Sequence, residues 1–267
     1  MRLREENESI KEHLRNENES IKEHLRKAFS LKDDSASHEE IRSRLLDGGI
    51  ITGTNLCVLV CAMVIASVGL NMSSTAVIIG AMLISPIMGS ILASAYGSVS
   101  NDYPVLRNYA AGFGMQVAIS IAAATIYFFL SPVKEPTVEL LARTSPSFYD
   151  VLIAFFGGLA GIIGQTRIDK TNTVIPGVAI ATALMPPLCT CGYSIANGRW
   201  DMLLGAGYLF IINAYFIFLA ATIILSVLKI PKMKEFTEKE WKVRRFIMIR
   251  NTIILAIPSI IAVYYML

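Results

Sequence analysis

The chain has 267 residues, of which 54% are hydrophobic and 17% charged, well below the charged share of an average soluble domain. Its net charge of +3 belongs to loops and not to a nucleic-acid surface, because residues 1–49 alone hold ten of the 24 Lys+Arg and twelve of the 21 Asp+Glu. What remains is so apolar that composition excludes a soluble single-core domain and points to an all-α, polytopic membrane bundle behind a charged helical N-terminal extension.

Residues 5–15 recur at 16–26 with one difference, an eleven-residue tandem duplication whose Ile10, Leu14, Ile21 and Leu25 form one stripe. That period suits a helix or a right-handed coil and makes self-association into a homo-oligomer an expectation, although two apolar positions per repeat equally suit a solvated helix. Ser37-His-Glu-Glu40 has the capping-box pattern for a short helix carrying Ile41, Leu45 and Leu46, stopped by Gly48-Gly49. The first long apolar run follows only there, so it is expected to serve as an uncleaved signal anchor.

Seven apolar segments come next, at roughly 50–70, 75–97, 105–130, 149–166, 174–196, 201–228 and 251–267. Most reach the ~20 residues needed to cross a ~30 Å hydrocarbon layer. The expected organisation is a cytoplasmic extension over 1–49 and a transmembrane domain over 50–267, with repeat one at 50–130, repeat two at 149–228 and a final span at 251–267. With the N-terminus inside, the internal loops hold Arg107, Arg167, Lys170 and the eight Lys/Arg of the 229–250 loop, against Lys134, Arg143 and Arg199 outside. Eleven against three is the bias of a multi-pass protein in that orientation. If segments two and five are re-entrant the count becomes ten against four, so loop charge does not separate the two topologies.

Segments two and five share a design. A shift of 101 residues superposes Asn71 on Asn172, Leu83 on Leu184, Pro86 on Pro187 and Gly97 on Gly198. Each follows a polar cluster, Asn71 to Thr75 or Thr171-Asn-Thr173, and each is broken by proline, at Ser85-Pro86 or at Pro186-Pro187. Proline removes an intrahelical hydrogen bond, so the carbonyls one turn earlier are expected to need partners in protein or trapped water. Two such breaks in corresponding places are the pattern of discontinuous helices around a transport site. Because each unit has three crossings, the second enters the membrane upside down, giving a three-plus-three inverted repeat with one span appended.

The two broken motifs, Ile79 to Ala93 (IGAMLISPIMGSILA) and Val174 to Leu188 (VIPGVAIATALMPPL), resemble those of an uncharacterised prokaryotic hydrophobic-domain family catalogued as domain of unknown function 389. The resemblance covers about residues 50–200. It implies a bacterial or archaeal inner-membrane location and brings no activity, substrate or site residue with it.

Chemistry must therefore be read from the residues. No Asp, Glu, Lys, Arg or His lies deep in an apolar segment, which argues against a proton-carboxylate pump. The charges at segment ends, Asp102, Arg107, Asp150, Arg167, Asp169, Lys170, Arg199 and Asp201, read first as interfacial anchors, with Arg167-Ile-Asp169-Lys170 the best candidate for an ion-attracting mouth. Candidate substrate-binding residues are Ser73, Ser74, Thr75, Ser85 and Pro86 in one repeat and Thr171, Asn172, Thr173, Pro186 and Pro187 in the other, joined by Thr182. The polar clusters suit helix N-caps, and two helix N-termini facing each other would suit an anion or carboxylate. Gln116 and Asn213 serve equally as helix glue, and the glycines of segment four (Gly157, Gly158, Gly161, Gly164), with Gly112, Gly114, Gly205 and Gly207, as close-packing positions. Cys57, Cys61, Cys189 and Cys191 have no standard zinc spacing and no nearby histidine, so no metal or other cofactor is expected. No catalytic Ser/His, Asp/Asp or HExxH arrangement occurs among the spans, so no enzyme activity is expected either. The expected function is a transporter or channel for a small solute or ion, anionic or zwitterionic, with a path between the two breaks. The alternative is a membrane scaffold or sensor that binds cytoplasmic partners or lipid and transports nothing.

Overall fold

A computed structural model describes residues 34–168, 184–233 and 237–266. Among these residues the fold is helical, with one isolated antiparallel bridge between Ser35 and Arg167. The tandem duplication, the 171–173 cluster and the first half of segment five lie outside the described residues.

Helix α1 (His38–Gly49) starts as its sequence predicts: the Ser37 hydroxyl accepts from the Glu40 amide at 3.2 Å. Glu39 and Glu40 also oppose the positive end of the helix dipole. Its apolar stripe is fully buried at Ile41 and nearly so at Leu45. The helix packs on α4 and α7, so its stripe is matched by a partner face. Helix α2 (Gly53–Asn71) is capped by Thr52, which accepts from the Asn55 amide at 3.2 Å.

Segment two is two helices, α3 (Thr75–Ile84) and α4 (Ile87–Val99), bent by 46° at the proline break. The break leaves fewer loose groups than proline alone implies. The Met82 carbonyl, which Pro86 cannot serve, accepts from the Ser85 amide at 3.3 Å, so a tightened last turn replaces the lost bond. Helix α5 (Tyr103–Leu130) is capped by Asp102, which accepts from the Val105 amide at 3.2 Å. A one-turn helix, α6 (Val138–Leu141), leads to α7 (Phe148–Thr166), where Asp150 reaches back to the Ser147 amide at 2.7 Å and its hydroxyl at 2.8 Å. Helices α8 (Met185–Ala196), α9 (Trp200–Val227) and α10 (Glu238–Met266) complete the chain.

Four of these helices, α2, α5, α7 and α9, are long and apolar enough to cross a membrane, and the bent α3–α4 pair makes a fifth crossing if it is one span. That is fewer than the seven expected. Half of segment five lies outside the described residues. The final segment continues a helix already under way, since α10 begins inside the basic 229–250 stretch and runs through it without interruption. A cap sets this start: the Thr237 hydroxyl accepts from the Glu240 amide at 3.3 Å, and helix-forming Glu, Lys and Arg then carry the helix on.

Among the described residues four helix corners close in the same way. The amide after the left-handed residue bonds the carbonyl five positions back: Ser74 to Gly69 at 2.9 Å, Asp102 to Gly97 at 3.0 Å, Arg199 to Ser194 at 2.8 Å and Ile230 to Leu225 at 3.3 Å. The residues that take the left-handed conformation are Ser73 (φ 49), Asn101 (φ 55), Gly198 (φ 66) and Lys229 (φ 55). These are C-terminal caps that satisfy the last carbonyls of each helix. The corners at Asn101 and Gly198 lie 97 residues apart, and each opens a helix of 28 residues, α5 or α9. The sequence register of 101 is therefore not the one these corners keep. A four-residue difference is close to one helical turn and preserves the buried face, which is why the sequence alone matches either shift.

Helices α4 and α8 each pack on both long helices, α5 and α9, while α7 lies along α9 and α2 along α5. Phe113 of α5 and Phe210 of α9, again 97 residues apart, stack with centroids 5.8 Å apart and planes inclined by 16°.

Candidate functional site

The two proline-headed half-helices, α4 and α8, and the long helices they lie on form the polar interior. Pro86 occupies the N-cap of α4, and the Ser85 hydroxyl accepts from the Ile87 amide at 3.5 Å. Pro186 and Pro187 are both buried in the first turn of α8. Each half-helix packs extensively on both long helices, α5 and α9, since neither can bury its face against a partner as short as itself.

The remaining candidates fall into separate places. Ser73 forms the left-handed corner after α2, and Ser74 sits at the N-cap of α3 without a side-chain capping bond, so the expected hydroxyl cap is absent there. The corner explains this: the Ser74 amide is tied back to Gly69, which fixes the turn without help from the hydroxyl. Thr75 donates to Glu139 at 2.8 Å, and Asn71 donates to Ser131 at 2.8 Å and Tyr127 at 3.3 Å, tying this corner to the far end of α5 and to α6. Thr171, Asn172, Thr173 and Thr182 lie outside the described residues, as do Asp169 and Lys170 of the candidate mouth. Its described member, Arg167, has its carbonyl taken by Arg44 at 2.5 Å.

Beyond each proline the helix carries a row of buried hydroxyls that sequence reasoning passed over: Ser90, Ser94 and Ser98 on α4, and Thr190 and Ser194 on α8. Their i, i+4 spacing directly after proline was the available signal. Most are satisfied within their own helix, Ser94 donating to the Ser90 carbonyl at 2.7 Å, Ser194 to Thr190 at 2.7 Å and Thr190 to Pro186 at 3.0 Å. Ser90 differs, donating across to Oε1 of Gln116 on α5 at 3.0 Å and lying 3.4 Å from the Gly49 carbonyl. Gln116 thus bonds helices together, as one of its two readings had it.

The end charges behave as anchors. Asp102 and Asp150 cap helices, and Arg199 bonds Asp201 at 3.4 Å, an exposed pair in which the hydrogen bond holds the guanidinium above its ordinary value. Cys57 and Cys61 are exposed on α2 while Cys189 and Cys191 are buried in α8, where Cys189 donates weakly to the Met63 carbonyl at 3.8 Å. Glycines mark the closest approaches: a Cβ on Gly158 would meet the Ile217 backbone at 2.8 Å, one on Gly112 would meet Ile51 at 2.4 Å, and one on Gly205 the Thr144 carbonyl at 1.9 Å. Gly114 faces open space and Gly207 has only a 4.0 Å neighbour, so these two are not packing positions.

No solved structure matches the chain. An uncharacterised protein of the archaeon Methanocaldococcus jannaschii is 25% identical over 202 residues, which cover 76% of this chain and 62% of that relative. The chain thus spans less than two thirds of that relative's length. A family model described as a domain of unknown function matches residues 82–219, from the last turn of α3 through most of α9. That stretch holds both half-helices, the corners at Asn101 and Gly198 and the stacked phenylalanines, and by it the chain belongs to the domain of unknown function family DUF389.

Proposed function

We propose that the protein is a transporter or channel for a small solute or ion, built as a three-plus-three inverted repeat in a prokaryotic cytoplasmic membrane with its N-terminus inside. The stack of Phe113 on Phe210 carries this reading. Under the 97-residue equivalence these are the same position in two units, and a residue meets its own equivalent only where a two-fold relation passes between them. The packing of each half-helix, α4 and α8, on both long helices supports the same relation. Two half-helices headed by proline and lined with hydroxyls are the parts from which such repeats build a solute path.

Purified protein reconstituted in liposomes should carry flux of a small anion or zwitterion, reduced by Asn172→Leu. Single cysteines at Ser74, Ser85, Asn172 and Thr182, introduced after the four native cysteines are replaced, should react with a membrane-impermeant thiol reagent. Inertness at all four positions together with no flux would favour the scaffold instead. Self-association through the N-terminal duplication belongs to the same proposal, and deleting residues 1–30 should lower the oligomeric state without preventing membrane insertion.

A further inference from the structure

Among the described residues, one buried hydroxyl has no partner. Ser120 of α5 is 0% exposed and its Oγ bonds none of them. A buried polar group left this way is costly, so native folds rarely keep one without a use.

Its position follows from its neighbours on the same helix face, where Gln116, Ser120, Ala124 and Phe128 form one buried stripe. On one side Gln116 meets Ser90 in the first turn of α4. On the other, Ala124 lies against Gly192 of α8, and Phe128 packs edge-on against Tyr193 with centroids 5.3 Å apart. Tyr193 goes on to donate to the Lys134 carbonyl beyond the end of α5, so α8 and α5 run in the same direction here. One turn before Gly192 is Leu188, in the first turn of α8, and one turn before Ala124 is Ser120. The unpartnered hydroxyl therefore stands between the N-terminal turns of α4 and α8.

The groups left open there are donors. The bond from Ser90 occupies Oε1 of Gln116, which leaves the Nε2 hydrogens, and Ser120 adds its O–H. The N-terminus of α4, a helix of 13 residues, adds a partial positive charge of roughly half a unit. Helix α8 contributes less, since Pro186 and Pro187 have no N–H to offer. Donors without a formal cation suit one dehydrated monovalent anion, held weakly enough to leave again.

We propose that Ser120 and Gln116 form a binding site for a small monovalent anion of halide size, at the head of α4. This rests on the transport reading for its purpose but not for its test. In detergent, bromide should raise the melting temperature of the full chain above its value in gluconate. Ser120→Ala should melt no lower than the parent in gluconate, because it removes an unsatisfied group, and should lose the bromide shift; Gln116→Leu should lose the shift as well. In liposomes the Ser120→Ala protein should show bromide flux reduced at least tenfold. An equal bromide shift in parent and Ser120→Ala, or no shift in the parent, overturns the site. Parent flux unchanged in Ser120→Ala overturns the site and leaves transport standing. A bromide shift lost in the variant, with no flux from the parent, keeps the site and removes transport.

Discussion

Phe113 and Phe210, 97 residues apart in the chain, stack between the two longest apolar helices with centroids 5.8 Å apart. If the pair is the hinge of a two-fold relation, the two side chains should be strongly coupled. Each alanine substitution should lower stability by about 3–5 kcal/mol. The double variant should fall short of the sum by about 0.5–1.5 kcal/mol, the worth of an aromatic pair beyond its burial. Unfolding in detergent, run as a double-mutant cycle, measures this, and strict additivity would show that the rings are neighbours without a shared role.

Gly192 tests the seat of α8 on α5. In an exposed helix, Gly→Ala gains about 1 kcal/mol. Here the added carbon would lie 2.4 Å from Cβ of Ala124 and 2.8 Å from the Thr125 amide nitrogen, and backbone cannot give way cheaply. Gly192→Ala should therefore destabilise, by about 1–3 kcal/mol, as overpacking does. Thermal unfolding gives the sign directly. Gly114→Ala on α5, which faces open space, is the control and should not destabilise.

Arg44 joins α1 to the end of α7. Its guanidinium reaches the carbonyls of Gln165 at 3.4 Å, Arg167 at 2.5 Å and Ile168 at 3.5 Å, while also pairing with Glu40. Alongside it, the Ala36 amide donates to the Thr166 carbonyl at 2.8 Å and the Ile168 amide to the Asp34 carbonyl at 3.0 Å. A cation at the last carbonyls of a helix is favoured by the dipole. Arg44→Ala should speed hydrogen exchange at Ala36 and Ile168 by at least tenfold while leaving the core of α5 unchanged. Arg44→Lys should recover little, because one ammonium cannot serve three carbonyls as a planar fork does.

Helix α10 presents Lys242 and Arg245 beside exposed Val243 and Phe246, and is fastened to α9 by Tyr215, which donates to the Met248 carbonyl at 2.9 Å. A basic, partly apolar helix next to membrane spans is attracted to anionic headgroups by about 1 kcal/mol per cation. Lys242→Glu with Arg245→Glu should cut retention of anionic phospholipid by the purified protein at least tenfold, an effect that fades as salt rises. Lipid counting by native mass spectrometry provides the measurement, and unchanged retention would refute it.

The sequence alone determined that the chain is helical and where its apolar runs lie. Ser37 announces a helix start, the apolar runs set lengths, and Ser85-Pro86 announces a break, because capping, periodicity and proline sterics act over a few residues. The caps at Thr52, Asp102 and the Ser147–Asp150 pair emerged only from the structure. The sequence also carried the family resemblance, through two motifs that local composition makes distinctive. What the tertiary structure decided is which faces meet. A shift of 101 and one of 97 present nearly the same helix face, so only the corners at Asn101 and Gly198 distinguish them. Ser90 and Gln116 lie 26 positions apart, and their bond exists because Asn101 turns the chain. Ser120 is an ordinary small residue in the sequence, and it becomes an unpartnered hydroxyl between two helix heads only because Gly192 lets α8 close onto α5. Close approach of distant backbones is a property of the packed whole, and no local rule encodes it.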